Sequence, residues 1–413
     1  MINYDKFTLD NGLRVIVHED HSTPLACINI LYDVGARDEE SSMTGFAHLF
    51  EHLMFGGSLN IPSYDAPLQL VGGENNAFTN NDITNYYLSL PADNIETGFW
   101  LESDRMLSLA FSEKSLEVQR NVVVEEFKQR YLNQPYGDEW LLIRPLAYTK
   151  HPYRWATIGE EISHIENARM EDVKAFFKKH YHPSNAIMVV SGDVSLTEVK
   201  RLSEKWFANI PSREKHKRNL PEEPKQNEPR FLEVFRDVPA DSLTRAYHMC
   251  GRNSEHYFCH DLLSDLLGRG TSSRLHTSLV KDKTLFSSIS AYVTGNIDPG
   301  LLIIQGKVNP GIEIHQADEA ISEVIHNLLT NGINETELEK VKNKAESTLV
   351  FEEMSILNKA MGLAFAELLG SADQVNTETE RLRKVSSDML MAQARTILRA
   401  ENCSTLYYRK NHE

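Results

Sequence analysis

Cysteine is scarce in this chain: Cys27, Cys250, Cys259 and Cys403 are the only 4 in 413 residues, and no two form a CxxC pair. That spacing excludes a thiolate zinc site and a disulfide framework, and free thiols fit a reducing compartment. No apolar run approaches the ~20 residues of a membrane span. No block of Lys or Arg is present either, and 43 basic against 59 acidic side chains give a formal net charge of −16. Nucleic acid and membrane surfaces are therefore not expected partners, whereas basic ligands are attracted. The opening MINYDKFTLDNGLRVIVHED lacks the charged start, apolar core and small-residue cleavage site of a secretion signal. A cytoplasmic location is expected, or a periplasmic one if a leader has been removed.

What is present is an ordinary globular composition, 41% hydrophobic and 25% charged, in a chain too long for one core. Two domains of roughly 200 residues are the default. The first half reads as strands KFTL, LRVIVHE and LACINILYDVG, with a hairpin turn at Asn11-Gly12. A helix, a short segment APLQLVGG, strands NNAFTN and TNYYLSLP, helices over 92–107, 113–132, 138–147 and 170–180, and a buried strand NAIMVVSGDV follow. Residues 212–230, SREKHKRNLPEEPKQNEPR, hold prolines and charges with almost nothing apolar, and read as a linker. The division expected is 1–211, 212–230 and 231–413. After the linker the order repeats: strands FLEVFR and TRAYHMCG, a helix, strands LFSSISAYVTG and LLIIQGKV, long helices, and a last strand STLYYR. Laying Gly56 on Gly268 puts His48 on His260, Glu51 on Leu263 and His52 on Ser264. Two copies of one α+β unit are expected, of which only the first keeps its ionisable cluster.

That cluster lies in GFAHLFEHLMFGG, residues 45–57, where His48, Glu51 and His52 stand among six large apolar side chains. Buried ionisable groups are costly unless something pairs with them or coordinates them. Two histidines four apart project from one helical face, one turn apart, which suits two nitrogen ligands on one zinc. Glu51 lies near the same face and can reach a water on the metal without being a ligand. The string HxxEH is the inverted zinc-protease signature. Catalytic zinc takes three protein ligands, so a third must come from elsewhere, and Glu125 or Glu126 in QRNVVVEEFKQR is the best supply. The competing reading is a histidine pair satisfied within the core.

HLFEH, with VVVEE downstream, resembles the pitrilysin-type metallopeptidases, which include insulin-degrading enzyme and the mitochondrial processing peptidase. LDNGLRVIV, PLACINILYDVGARDE, GFAHLFEHLMFGGS, NAFTNNDITNYY, HPYRWATIG and YHPSNAIMVVSGDV occur in the family's order across the first half. The resemblance implies an α+β fold of two homologous α/β-roll domains, each a mostly antiparallel sheet packed by helices, forming half of a clamshell. It implies one Zn2+ per chain on His48, His52 and Glu126, with Glu51 as catalytic base. It likens Asn76, Ala77 and Phe78 to the edge strand to which a substrate peptide adds. A further family glutamate, seven before the third ligand, is Gln119 here, and a tuning effect is expected.

The second half, including GRGTSSRLHTSLVKDKTLF and NGINETELEKVKNKAESTLV, matches less well. Many members carry there an Arg and a Tyr that reach the substrate. Aligned on Leu279 and Leu285, those positions are Val280 and Ser287, and neither can donate as those residues do. The expectation is a zinc metalloendopeptidase cleaving short or unfolded peptides in a closed chamber. It would be the catalytic subunit of a heterodimer whose paralogous partner supplies the Arg/Tyr pair, with a homodimer as the other arrangement. The rivals are a non-catalytic scaffold subunit and a zinc hydrolase of small molecules.

Overall fold

Eleven strands form two mostly antiparallel sheets in the computed structural model, which describes residues 1–411. The first sheet holds β1 (Asp5–Thr8), β2 (Arg14–Glu19), β3 (Leu25–Tyr32), β4 (Glu74–Thr79), β5 (Thr84–Pro91) and β6 (Ala186–Gly192) in the order β1-β2-β6-β3-β5-β4. Its one parallel pair is β2 with β6. The Asn11-Gly12 hairpin forms, but Thr8 pairs with Arg14, so the turn spans residues 9–13. Gly12 sits there at φ +90°, and a Cβ would stand 2.8 Å from the Ser184 Cβ.

The second sheet holds β7 (Arg230–Arg236), β8 (Ser242–His248), β9 (Phe286–Val293), β10 (Leu301–Val308) and β11 (Cys403–Lys410) in the order β7-β11-β8-β10-β9. Its one parallel pair is β7 with β11. Strand for strand, β7-β11-β8-β10-β9 repeats β2-β6-β3-β5-β4, in order and in direction. The repeat expected from the sequence is therefore present in the topology, and the fold class is α+β.

The compact units differ from a division at the linker. One comprises Met1–Lys128, Trp155–Leu220 and Val350–Thr377; the other comprises Gln129–Arg154, Pro221–Leu349 and the chain from Glu378 onward. In the first unit, helix Ile356–Leu368 lays Ala360, Leu363 and Ala364 on the sheet against Cys27, Leu31 and Val189. In the second, helix Glu139–Ala147 brings Ile143 and Ala147 against Ala246, Ile303 and Leu406. Each half of the sequence thus gives one helix to the other half's sheet. An amphipathic pattern shows that a helix must cover something, not which sheet it covers.

The stretch 212–230 is pinned rather than free. In the first unit Arg218 lies 2.7 Å from Asp33 and 2.6 Å from Asp38, and Lys215 stands 2.6 Å from Asp33. In the second, the Glu223 carboxylate accepts the backbone N–H groups of Thr149, Lys150 and His151 at 2.8–2.9 Å. The segment 66–73 contributes a short helix, Asp65–Leu70.

Candidate metal centre

Helix Phe46–Leu53 buries Phe46, Ala47, Leu49, Phe50 and Leu53 and leaves His48, Glu51 and His52 half-buried on its remaining face. The run is therefore amphipathic rather than apolar all round. Its far end rests on an aromatic layer. The Tyr86 hydroxyl donates to the Phe50 carbonyl at 3.4 Å, and the fully buried Arg105 guanidinium sits 4.5 Å from the Tyr86 ring and 5.3 Å from that of Phe55. Glu102 neutralises Arg105 through two hydrogen bonds, of 2.8 and 2.5 Å.

Helix Glu113–Phe127 starts at Ser112, whose side chain accepts the Ser115 N–H, and buries Leu116, Val123, Val124 and Phe127. That face fixes the rotation of its last turn and turns Glu126 toward the histidines. His48 Nε2 lies 3.8 Å from one Glu126 oxygen and His52 Nε2 lies 3.4 Å from the other. The two imidazoles are 4.8 Å apart, centre to centre, with planes at 87°. Glu125, the alternative ligand left open by the residues alone, points elsewhere: its side chain is 61% exposed and pairs with Lys128 at 2.7 Å.

The donor set fits zinc. One ligand atom from each of His48, His52 and Glu126 lies within 4.8 Å of the other two, and no other such trio exists among the described residues. Donors on a tetrahedral zinc, with bonds of about 2.0–2.1 Å, stand about 3.4 Å apart. The imidazole separations from Glu126, 3.8 Å to one oxygen and 3.4 Å to the other, are near that spacing, and the set as a whole, within 4.8 Å, would draw together around an ion. Two neutral imidazoles and one carboxylate are the ligand chemistry of a catalytic zinc with one position left open.

Burial pushes the Glu51 carboxyl above its ordinary value; the Thr79 hydroxyl and N–H and the nearby His52 pull it down, and the Glu126 charge pushes it up again. Thr79 is the residue that sequence reasoning missed. It follows Phe78 on β4 and shares the face of Asn75 and Ala77, so strand alternation from the candidate substrate positions was the available signal.

β4 is the open edge of its sheet, paired with β5 alone. Asn76 and Phe78 are exposed on it, Ala77 is half-buried, and the Asn76 side chain accepts the Ala77 N–H at 2.8 Å. Gln119 lies on the Glu126 helix two turns before that residue. In the second unit, Val280 packs against the core, and the Ser287 hydroxyl donates to the Lys307 carbonyl at 3.3 Å. His260, the counterpart of His48, is tied to Cys250 Sγ at 3.2 Å and Gln393 Oε1 at 3.0 Å.

The chain is similar to known proteins in sequence and in fold. Residues 14–138 match the family model described as insulinase (peptidase family M16), and residues 167–345 match the one described as peptidase M16 inactive domain. The zinc protease PqqE of Helicobacter pylori is 32% identical over 345 residues, 82% of this chain and 78% of that protein. YmxG of Bacillus subtilis, described as an uncharacterized zinc protease, is 26% identical over 372 residues, 88% of each. The crystal structure of a protease from Helicobacter pylori superposes with a TM-score of 0.93 at 27% identity, covering 99% of this chain and 100% of that one.

Proposed function

The chain belongs to the insulinase family, peptidase family M16, and from that premise we propose that it is a zinc metalloendopeptidase worked by His48, Glu51, His52 and Glu126. The observation that carries this reading is the meeting of two imidazoles and one carboxylate from separate helices, with a second, half-buried carboxylate beside them. Zinc in that site supplies a Lewis acid that brings the pKa of water toward 7 and polarises a carbonyl. Glu51 takes the proton of the attacking water and delivers it to the leaving amine. Its partial burial, which pushes the carboxyl up, suits a group that must first accept a proton and then release it. Thr79 steadies it from the adjoining strand.

The open edge of β4 offers backbone donors and acceptors to an extended peptide, which would join as an added strand. Asn76, Ala77 and Phe78 are the contacts, with the Ala77 N–H held by Asn76 until a substrate carbonyl replaces it. Only a chain without fixed structure can present such a strand, so short or unfolded peptides are the substrate class. Val280 and Ser287 offer no long donor, and a paralogous subunit with an Arg/Tyr pair would supply one. Purified alone, the chain should bind zinc and cleave peptides poorly.

Metal analysis combined with peptide cleavage, with and without the paralogous subunit, tests the reading in native and Glu51→Gln protein. Both should hold one zinc per chain, and the substitution should lower turnover about 10²–10⁴-fold. Equal turnover would remove Glu51 from the chemistry. Zinc binding without cleavage under any pairing would favour a scaffold subunit.

A further inference from the structure

We infer that Glu39 is a positioning residue for the metal helix, holding its first turn, and with it His48, from outside the helix. The inference rests on the zinc reading above and deepens it.

Helix Phe46–Leu53 has eight residues, too few to persist without support, and its first N–H groups have no partner within the helix. Helices of this kind are ordinarily capped by a Ser, Thr, Asp or Asn at the residue before the first turn. Here that residue is Gly45, and the reason is steric. Gly45 sits at φ +87°, and a Cβ would stand 2.6 Å from the Ile158 carbonyl oxygen and 2.8 Å from the Ile165 Cδ1. No capping side chain fits at that position, so the cap must come from elsewhere.

Glu39 supplies it. Its Oε2 accepts the Gly45 N–H at 2.9 Å and its Oε1 accepts the Ala47 N–H at 2.8 Å, with the residue 8% exposed. Burial pushes this carboxyl well above its ordinary value, and the Ala47 and Gly45 N–H groups offset only part of that rise; the cap itself stands on geometry, each oxygen accepting a separate N–H. On the other side Thr44 Oγ1 accepts the Glu160 N–H at 2.8 Å. The start of the helix is thus clamped between Glu39 and the 158–164 segment, one residue before the first histidine. A carboxylate at a helix N-terminus also opposes the dipole's positive end, which favours the helix that carries both imidazoles.

The test is zinc affinity, measured by competition with a chromogenic chelator, together with the visible spectrum of the cobalt-substituted protein. Glu39→Gln keeps the volume but can accept only at one atom. It should weaken zinc binding about tenfold or more, the range for partners that orient a ligand, and alter the cobalt bands. Glu39→Asp should recover part of the loss. Val199→Ala, a buried residue on helix Leu196–Phe207 of the same unit, is the control: it lowers thermal stability but should leave zinc affinity and the cobalt spectrum unchanged. Glu39→Gln binding zinc within twofold of native, or losing no more than the control, would overturn the inference. If Glu39→Gln does not fold, Glu39→Asp decides: zinc affinity within twofold of native overturns the inference, and a larger loss with shifted cobalt bands supports it. Failure of the native chain itself to bind zinc would instead overturn the zinc reading.

Discussion

Acidification should destabilise the first unit through His180, and the size of the effect follows from its surroundings. His180 closes helix Met170–His180, is 2% exposed, and lies 4.7 Å from the Phe176 ring, centre to centre. Its Nε2 has no hydrogen-bond partner among the described residues. Burial, then the neighbouring Lys179, His216, Arg218 and His182, lower its pKa from 6.5 to about 2. The folded chain therefore refuses a proton that the unfolded chain accepts. The stability contributed by the neutral ring is complete above pH 6.5 and is lost as pH falls toward 2. At pH 5 the unfolded state gains about 1.5 pH units' worth of protonation, or about 2 kcal/mol at 1.36 kcal/mol per unit. His182 lies close by and is also lowered by burial, so the measurement must be a difference. His180→Phe keeps an aromatic ring in the same space and removes the titration. In urea unfolding with chelator present, the native protein should lose about 2 kcal/mol more than His180→Phe between pH 7.5 and pH 5. Parallel losses in the two proteins would refute the reasoning.

Leu363→Ala should cost about 3 kcal/mol, since the side chain is fully buried against the first sheet; chemical unfolding followed within that unit checks this. A loss confined to the second unit would contradict the exchange of helices. Phe78→Ala, on the open edge, should change stability by no more than about 0.5 kcal/mol, because the side chain is 37% exposed. It should instead raise KM for a peptide, with kcat little affected; melting and steady-state cleavage separate the two. Glu125→Gln should leave zinc affinity unaltered, because that carboxylate faces Lys128 and solvent.

Much of this architecture was legible in the residues because its signals are local. TNYYLSLP and LLIIQGKV coincide with β5 and β10 end to end, bounded by turn residues and carried by alternating or continuous apolar runs. The spacing of His48 and His52 fixes a shared helical face wherever the helix lies. Long-range features were not legible in the same way. Nothing in Ile356–Leu368 states that it covers the sheet built from the first residues, and nothing in 212–230 shows that Arg218 and Glu223 anchor it. The pair Glu125 and Glu126 stayed open by spacing alone, and the resemblance preferred Glu126. The rotation of their helix, set by Val123, Val124 and Phe127 in the core, puts the same residue at the histidines. Thr79 and Glu39 act through contacts that depend on where a strand edge and a helix start meet, which no periodicity encodes.

Zinc titration of the native chain beside His48→Ala, His52→Ala and Glu126→Ala, each read by metal content and by chelator competition, addresses the metal centre directly. One equivalent bound tightly by the native protein, with affinity collapsing in all three variants while each remains folded, is the predicted result. A native chain that takes up no zinc, or a Glu126→Ala protein that holds it as firmly as the native one, would contradict it.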